Sequence, residues 1–176
     1  FEQTYINSNQ IKGEISSAFK ASFFINPSKS FDLKSLTFNS DNSFQHVKLI
    51  DYNYIAEIVD YFDESMITRN IVDIPYYKQK SKKIIFKPFR NNMSFKDGKL
   101  NISPTYLENN MLNLNLKGTQ TISDSVDYYM SFNWKEIKKR NKKEKEDYLE
   151  EKEEIKELFL RITGHIDYLN MSLINI

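Results

Sequence analysis

Cysteine is absent from the 176-residue sequence, and glycine and proline are scarce, with four of each. Without cysteine the chain has no disulfide, no thiolate ligand for a metal and no cysteine nucleophile. The four glycines lie far apart, at positions 13, 98, 118 and 164, so they do not form the glycine-rich loops that bind phosphates or dinucleotides. The composition therefore excludes thiol-dependent enzymes and P-loop proteins.

Long hydrophobic runs and an excess of charge of one sign are also missing. No stretch of about 18 apolar residues occurs, so we expect no helix that spans a membrane. The 25 basic and 24 acidic residues give a net charge of +1, which does not indicate nucleic acid as a partner. The chain begins at Phe1 with no signal-peptide pattern behind it. We therefore expect a single domain over 1–176 that is a portion of a longer protein.

Residue patterns typical of catalysis or metal binding are few. His46 and His165 are the two histidines, and neither has a pattern of metal ligands near it. The carboxylates of Asp124 and Asp127 lie around the start of a predicted strand, where exposure in a loop explains them better than acid–base catalysis does. No nucleophile elbow occurs. We expect neither an enzyme nor a bound metal or cofactor.

The sequence does contain a series of two-faced strands between residues 93 and 134. In 112–116 and 126–134 the apolar side chains fall on every second position, which is the period of a β-strand. Asp97 and Gly98 separate two shorter strands and supply the positive φ angles that a tight hairpin needs. The pattern predicts a sheet with one apolar face, which a protein core, a partner or a lipid must cover.

Weaker patterns occupy the first half of the chain. Apolar residues of one parity between 15 and 25 predict a half-buried strand, and the polar segment 39–43 predicts a turn. Ile55, Ile58, Val59 and Phe62 are spaced three and four apart, which predicts a short helix near 52–63. Asp51 is the predicted N-cap of this helix.

Charged residues dominate 135–157, with basic residues crowded in the first part and acidic residues in the second. This order opposes the helix dipole, so we expect a partly helical, solvated excursion. A patch for nucleic acid or anionic lipid headgroups is the less favoured alternative. Together the patterns predict a mainly β fold with minor α, built on a curved antiparallel sheet that is either open and groove-like or sandwich-like.

Four motifs follow one another in the second half of the chain: FKDGKLNISP at 95–104, LNLNLKGT at 112–119, VDY at 126–128 and LFLRITG at 158–164. In this order they resemble the C-terminal region of AsmA-like proteins, with its hairpin, its strand ending at a glycine, its next strand and its closing strand. The helix near 52–63 falls where that family has a short helix. The charged interruption before the last motif is similar to variants from Bacteroidetes.

The resemblance implies a piece of a cell-envelope protein in the periplasm, held by an inner-membrane anchor outside this chain. It also implies that the apolar sheet face binds or conducts phospholipid acyl chains between the inner and outer membranes, in outer-membrane biogenesis. The alternative is a structural domain of a larger envelope complex, which contributes edge strands or the charged excursion to partner proteins. The candidate lipid-contacting residues, for which a closed protein core is the competing interpretation, are Leu112, Leu114, Leu116, Val126, Tyr128, Met130 and Phe132.

Overall fold

The computed structural model describes residues 8–25, 35–70, 72–137 and 157–174, and the fold is that of these ranges. They form an antiparallel sheet of nine strands that is not closed, so the predicted mainly β fold is confirmed. Neighbours across the sheet run β1-β2-β4-β5-β6-β7-β8-β9, and β3 pairs with the second part of β2. The strands are β1 (Ile11–Ser22), β2 (Thr37–Ile50), β3 (Lys83–Ile85), β4 (Phe89–Lys96), β5 (Lys99–Leu107), β6 (Leu114–Thr121), β7 (Ser125–Asn133), β8 (Glu157–His165) and β9 (Tyr168–Ile174).

The hairpin between β4 and β5 lies where the sequence predicts it. Asp97 and Gly98 have φ angles of 51° and 72°, and Lys96 pairs with Lys99 across the turn. Left-handed conformations at both central positions match the twist of the two strands. Beyond this hairpin, β5 has a register shift between Ile102 and Thr105, which accommodates the proline at 104 inside the strand.

The polar segment 39–43 lies inside β2, so the predicted turn is wrong. This segment pairs with β1 on one side and with β4 on the other. Ser40 and Asn42 within it are buried, and Nδ2 of Asn42 donates to Oγ of Ser40 at 3.0 Å. Two ladders of backbone hydrogen bonds outweigh the preference of Asn and Ser for turns.

Three helices accompany the sheet: α1 (Asn53–Glu64), α2 (Ile74–Ser81) and α3 (Trp134–Ile137). Helix α1 confirms the helix predicted near 52–63, but its N-cap is Tyr52 and no side chain caps it. The predicted cap at Asp51 is therefore wrong. The backbone N–H of Asp51 donates to the carbonyl oxygen of Lys82 at 3.0 Å, which holds this residue at the exit of β2 rather than at the helix.

The charged excursion predicted over 135–157 is described only at its two ends. Helix α3 includes 135–137, and β8 begins at Glu157. Residues 138–156 lie outside the described ranges.

Directly paired residues of antiparallel strands point to the same side of a sheet. The apolar residues of neighbouring strands are paired with one another, so the strands share one apolar face. Phe44 of β2 pairs with Phe89 of β4. Further along the sheet, Met130, Leu160 and Leu173 form one row across β7, β8 and β9. We call this side the inner face. The opposite, outer face consists mainly of Asn, Ser, Thr, Lys and Asp side chains.

The three helices cover one end of the inner face, which we call the covered half and which comprises β6 to β9. The ring of Phe62 in α1 meets the ring of Phe132 in β7 edge-on, with centroids 6.0 Å apart. The hydroxyl of Tyr77 in α2 donates to the carbonyl oxygen of Glu136 in α3 at 2.9 Å. The buried core formed in this way comprises Ile58, Val59, Phe62, Val72, Ile74, Tyr77, Leu112, Phe132, Ile137, Leu158, Leu160 and Ile162.

Candidate functional site

The other end of the inner face, formed by β1, β2, β4 and β5, contributes no residue to that core within the described ranges. We call it the open half. Ile15 and Phe19 of β1 are each 62% exposed, whereas Leu160 in the covered half is 0% exposed. One part of the apolar face is therefore buried under helices, and the other part is exposed.

Strand β1 corrects one expectation from the sequence. The apolar residues of one parity in 15–25 predict a half-buried strand, but all twelve residues of β1 are exposed. The alternation itself is present, since Ile15 pairs with Phe44 and Phe19 pairs with Ser40 on the inner face. The predicted burial is wrong because no helix extends over this end of the sheet among the described residues.

A cavity of about 500 Å³ lies in the open half. This volume is in the range of sites that bind small organic molecules, about 300–1,000 Å³. Lys12 and Glu14 of β1 also line the cavity, but they alternate with Ile11 and Ile15 along the strand, so their side chains belong to the outer face. The apolar side chains of the lining come from five strands and the segment after β3, and they include Ile11, Ile15, Phe44, Val47, Leu49, Phe86, Phe89, Met93, Ile102, Leu107 and Leu116.

Stacked aromatic rings stiffen the open half. The rings of Phe44 and Phe89 are stacked with centroids 4.6 Å apart. The rings of Phe38 and Phe95 are stacked at 5.4 Å, and Phe19 packs on Phe38 at 5.3 Å. Cross-strand aromatic pairs of this kind stabilise a sheet surface and hold their rings in place. The open half is therefore a preformed apolar surface.

A row of polar side chains crosses the open half between these aromatic pairs. Oγ of Ser17 donates to Oδ1 of Asn42 at 2.6 Å, and Asn42 pairs with Asn91 of the next strand. Nδ2 of Asn91 donates to Oγ1 of Thr105. Asn42, Asn91 and Thr105 are buried, at 6%, 6% and 5% exposure. Hydrogen-bonding groups are thus present within an otherwise apolar surface.

Most of the seven residues predicted to contact lipid lie in or against the covered half. Leu112 and Phe132 belong to the buried core, and three others pack against it: Leu114, Tyr128 and Met130. Val126 is 5% exposed and pairs with Gly164 of β8. Leu116 of β6 lies at the boundary between the halves, since it pairs with Met130 and also lines the cavity.

The sequence patterns did not predict ligand contacts for three residues at the centre of the open half. Phe44, Phe89 and Ile102 line the cavity, but each belongs to a strand whose alternation is interrupted by polar residues or by a bulge. The alternation of apolar residues over 15–25 was the sequence pattern that indicated an apolar face at this end of the sheet.

Burial perturbs two tyrosines near the covered half, Tyr52 and Tyr128. It raises the pKa of Tyr52 to about 12, and it also raises the pKa of Tyr128. The hydroxyl of Tyr128 donates to Oε1 of Gln120 at 2.9 Å, so this phenol has a partner on the inner face. Neither tyrosine adds a charge to the inner face near neutral pH.

The outer face has a charged cluster on β7 and β8. Nε and Nη2 of Arg161 donate to the two carboxylate oxygens of Asp127 at 2.9 and 3.0 Å. These hydrogen bonds lower the pKa of Asp127. Arg161 also lies over the ring of Tyr129, with Cζ 5.1 Å from its centroid. This cluster lies on the side of the sheet away from the cavity, since Asp127 and Arg161 are of the opposite parity to Tyr128 and Ile162, which pair on the inner face.

The inner face of the open half offers apolar contacts and a few hydrogen-bonding groups. Within the described ranges, no group of three or more His, Asp or Glu side chains could hold a metal ion. None of the helices in those ranges has the length and hydropathy needed to cross a membrane. Apolar area with a few placed hydrogen-bonding groups suits an aliphatic ligand.

Comparisons with protein-family models, with curated proteins and with solved structures find no match to this chain. The resemblance to AsmA-like proteins thus remains a prediction from the order of four motifs. The geometry of the open half is the stronger basis for a function.

Proposed function

We propose that this chain is a non-enzymatic module that binds acyl chains of phospholipid, or of another lipid, on the open half of its inner face. One observation carries the proposal: half of a continuous apolar face has no helix over it among the described residues and holds a cavity of about 500 Å³. Exposed apolar surface of this extent on a preformed sheet is typical of a binding site.

The free energy available from such a surface is sufficient for lipid binding. Each methylene group removed from water contributes about 0.8 kcal/mol. An acyl chain that buries six methylene groups against Ile15, Phe44 and Phe89 would gain about 5 kcal/mol before the entropic cost of binding. The stacked rings are already in place, which lowers that cost.

The place of this module in the cell is proposed from the motif order. An AsmA-like chain would lie in the periplasm, joined to the inner membrane through a part of the parent protein outside this chain. The open half would then be one section of a path that conducts acyl chains between the inner and outer membranes.

A structural role in an envelope complex is the second candidate, and strand β1 favours it. All twelve residues of β1 are exposed, and β1 pairs with β2 alone among the described strands. An unpaired strand edge is a template for a strand of a partner protein. This function would use the backbone of β1 rather than the apolar side chains of the inner face.

A photoactivatable fatty acid distinguishes the two candidates. The purified chain is mixed with vesicles of phosphatidylethanolamine and phosphatidylglycerol that contain the probe, irradiated, digested and analysed by mass spectrometry. We expect labelled peptides from β1, β2, β4 and β5. Labelling that is absent, or that is confined to the helices, would contradict lipid binding on the open half.

A matched pair of variants on β1 makes this experiment specific. Ile15→Glu places a charge on the inner face, at a side chain that is 62% exposed, so the fold tolerates it. Ser16→Glu places the same charge on the outer face one residue later. We expect Ile15→Glu to reduce labelling at least about fivefold, because a carboxylate disfavours acyl-chain contact, and Ser16→Glu to leave it unchanged. Equal labelling of both variants would favour the structural role.

A further inference from the structure

Among the described residues, one buried side-chain nitrogen or oxygen atom lacks a hydrogen-bond partner. This atom is Oδ1 of Asn91. The side chain is 6% exposed and belongs to the cavity lining. Buried side-chain polar atoms nearly always have a partner, and an unpaired one is unfavourable. The free atom therefore calls for a donor that the described residues do not supply.

The hydrogen bonds around Asn91 identify the free atom as an acceptor. Oγ1 of Thr105 donates to the carbonyl oxygen of Ser103 at 2.8 Å, so the same oxygen accepts from Nδ2 of Asn91. Nδ2 also donates towards the carbonyl oxygen of Ser103 at 3.4 Å. Exchanging the amide nitrogen and oxygen would bring Oδ1 against that carbonyl oxygen, which is another acceptor. The carbonyl oxygen of Ser103 therefore favours the orientation in which Nδ2 lies towards it, and in this orientation Oδ1 has no partner.

The surroundings of Oδ1 explain why no side chain reaches it. Phe89 and Met93 lie two residues away on the same strand, on the same face, and both line the cavity. Asn42, which is paired with Asn91, uses Oδ1 to accept from Ser17 and Nδ2 to donate to Ser40. Oγ of Ser17 and one N–H of Asn42 are thus engaged elsewhere in the polar row, and no donor among the described residues reaches Oδ1 of Asn91. A ligand in the cavity is a further source of a donor.

We infer that the open half selects aliphatic ligands that carry a hydroxyl group on the chain, with the hydroxyl donating a hydrogen bond to Oδ1 of Asn91. This inference rests on the proposed lipid-binding function and names its ligand class. Methylene groups on both sides of the hydroxyl would contact Phe44, Phe89 and Ile102. An unsubstituted chain would leave Oδ1 unpaired, as it already is in the free chain, and would therefore lack the gain from this hydrogen bond.

Competition between matched fatty acids tests the inference. A bound fluorescent fatty acid is displaced by tetradecanoate or 3-hydroxytetradecanoate, and by octadecanoate or 12-hydroxyoctadecanoate. We expect one hydroxylated acid or both to bind about fivefold to twentyfold more tightly than its unsubstituted partner, the gain from one buried hydrogen bond. The 3-methoxy and 12-methoxy analogues, which keep the oxygen but lack the donor, should lose that advantage.

Two asparagine variants on β4 locate the effect. Asn91→Leu removes the acceptor and should abolish the preference for hydroxylated chains while binding of unsubstituted chains persists. Asn92→Leu is the control, because Asn92 is the next residue on the strand and points to the outer face, where Nδ2 donates to Asp41. This control should keep the wild-type preference.

The outcomes separate this inference from the proposed function. If all the fatty acids displace the probe with equal affinity, lipid binding stands and the selection is overturned; an ordered water on Oδ1 would give this result. A preference that survives in Asn91→Leu, or that the methoxy analogues share, also overturns it. If the probe does not bind the wild-type chain, the proposed function fails, and the inference fails with it.

Discussion

The covered half and the open half belong to the same sheet and present the same kind of side chain, yet they differ in what lies over them. In the covered half, helix α1 places Phe62 on Phe132 and leaves Leu160 fully buried. In the open half, Ile15 and Phe19 of β1 are each 62% exposed. Alternating apolar residues therefore determine that a strand has an apolar face, while a distant part of the chain determines whether that face is protein core.

Paired truncations in the two halves give the largest expected effect. Leu160→Ala should destabilise the fold by about 3 kcal/mol, because it leaves a cavity in a closed core. Ile15→Ala should cost less than about 1 kcal/mol, because the side chain is mostly exposed. Urea unfolding followed by circular dichroism measures both. Equal losses at the two positions would show that both halves are covered in solution.

Glycine positions in the two halves should differ nearly as much. A Cβ atom at Gly118 of β6 would lie 2.5 Å from the carbonyl oxygen of Asp127 and 2.7 Å from Cα of Tyr128, so Gly118→Ala should cost about 2–3 kcal/mol. Gly98→Asn, in the hairpin of the open half, should cost less than about 1 kcal/mol, because Asn tolerates a positive φ. Thermal unfolding of the two variants is the measurement, and a larger loss at Gly98 would contradict the close packing across β6 and β7.

The edge strand of the covered half is tied to a helix, and this contact gives a smaller effect. The backbone N–H of Leu173 in β9 donates to the hydroxyl oxygen of Tyr61 in α1 at 3.1 Å. Tyr61→Phe should cost about 1 kcal/mol and should speed amide hydrogen exchange at Leu173. Tyr106→Phe, at an exposed tyrosine of β5, is the control. Unchanged exchange at Leu173 in Tyr61→Phe would show that α1 does not hold this edge.

The outer face should contribute least. Arg161 lowers the pKa of Asp127 in the folded chain, so the ion pair stabilises the fold above the unfolded pKa of about 3.9 and loses this effect as pH falls through the folded pKa. The two side chains are 41% and 38% exposed, and solvent screens them. Asp127→Asn should therefore cost less than about 0.5 kcal/mol at pH 7, and this cost should decrease as the pH is lowered below the unfolded pKa. A difference in urea unfolding that does not decrease with falling pH would rule out the ion pair as its cause.

Local patterns predicted the elements whose structure is decided locally. Asp97 and Gly98 form the predicted hairpin, and the spacing of Ile58, Val59 and Phe62 corresponds to the buried side of α1. Segment 39–43 was misread as a turn because Ser40 and Asn42 point to the inner face of a strand that is paired on both sides. Pairing with strands on both sides is invisible in five residues of sequence.

The sequence predicted that the sheet has an apolar face, but not which part of that face is left uncovered. The alternation at Leu112, Leu114, Met130 and Phe132 correctly indicates an apolar face, but these side chains lie in or against the core under the helices. Which strands the helices cover depends on contacts between residues far apart in the chain, such as Phe62 and Phe132. The cavity residues Phe44 and Phe89 become neighbours only through the register of β2 and β4.

Helices α1 and α2 are encoded between β2 and β3, although α1 packs on β7 and β9. Neighbouring strands of the sheet are mostly joined by short hairpins, which close quickly, whereas contacts between α1 and the last strands require closure of most of the chain. During synthesis from the N-terminus, Ile58, Val59 and Phe62 therefore leave the ribosome long before their partners. The strands of the open half can therefore pair before β7 to β9 are available to cover the apolar side of α1. The core forms only when these last strands have been synthesised.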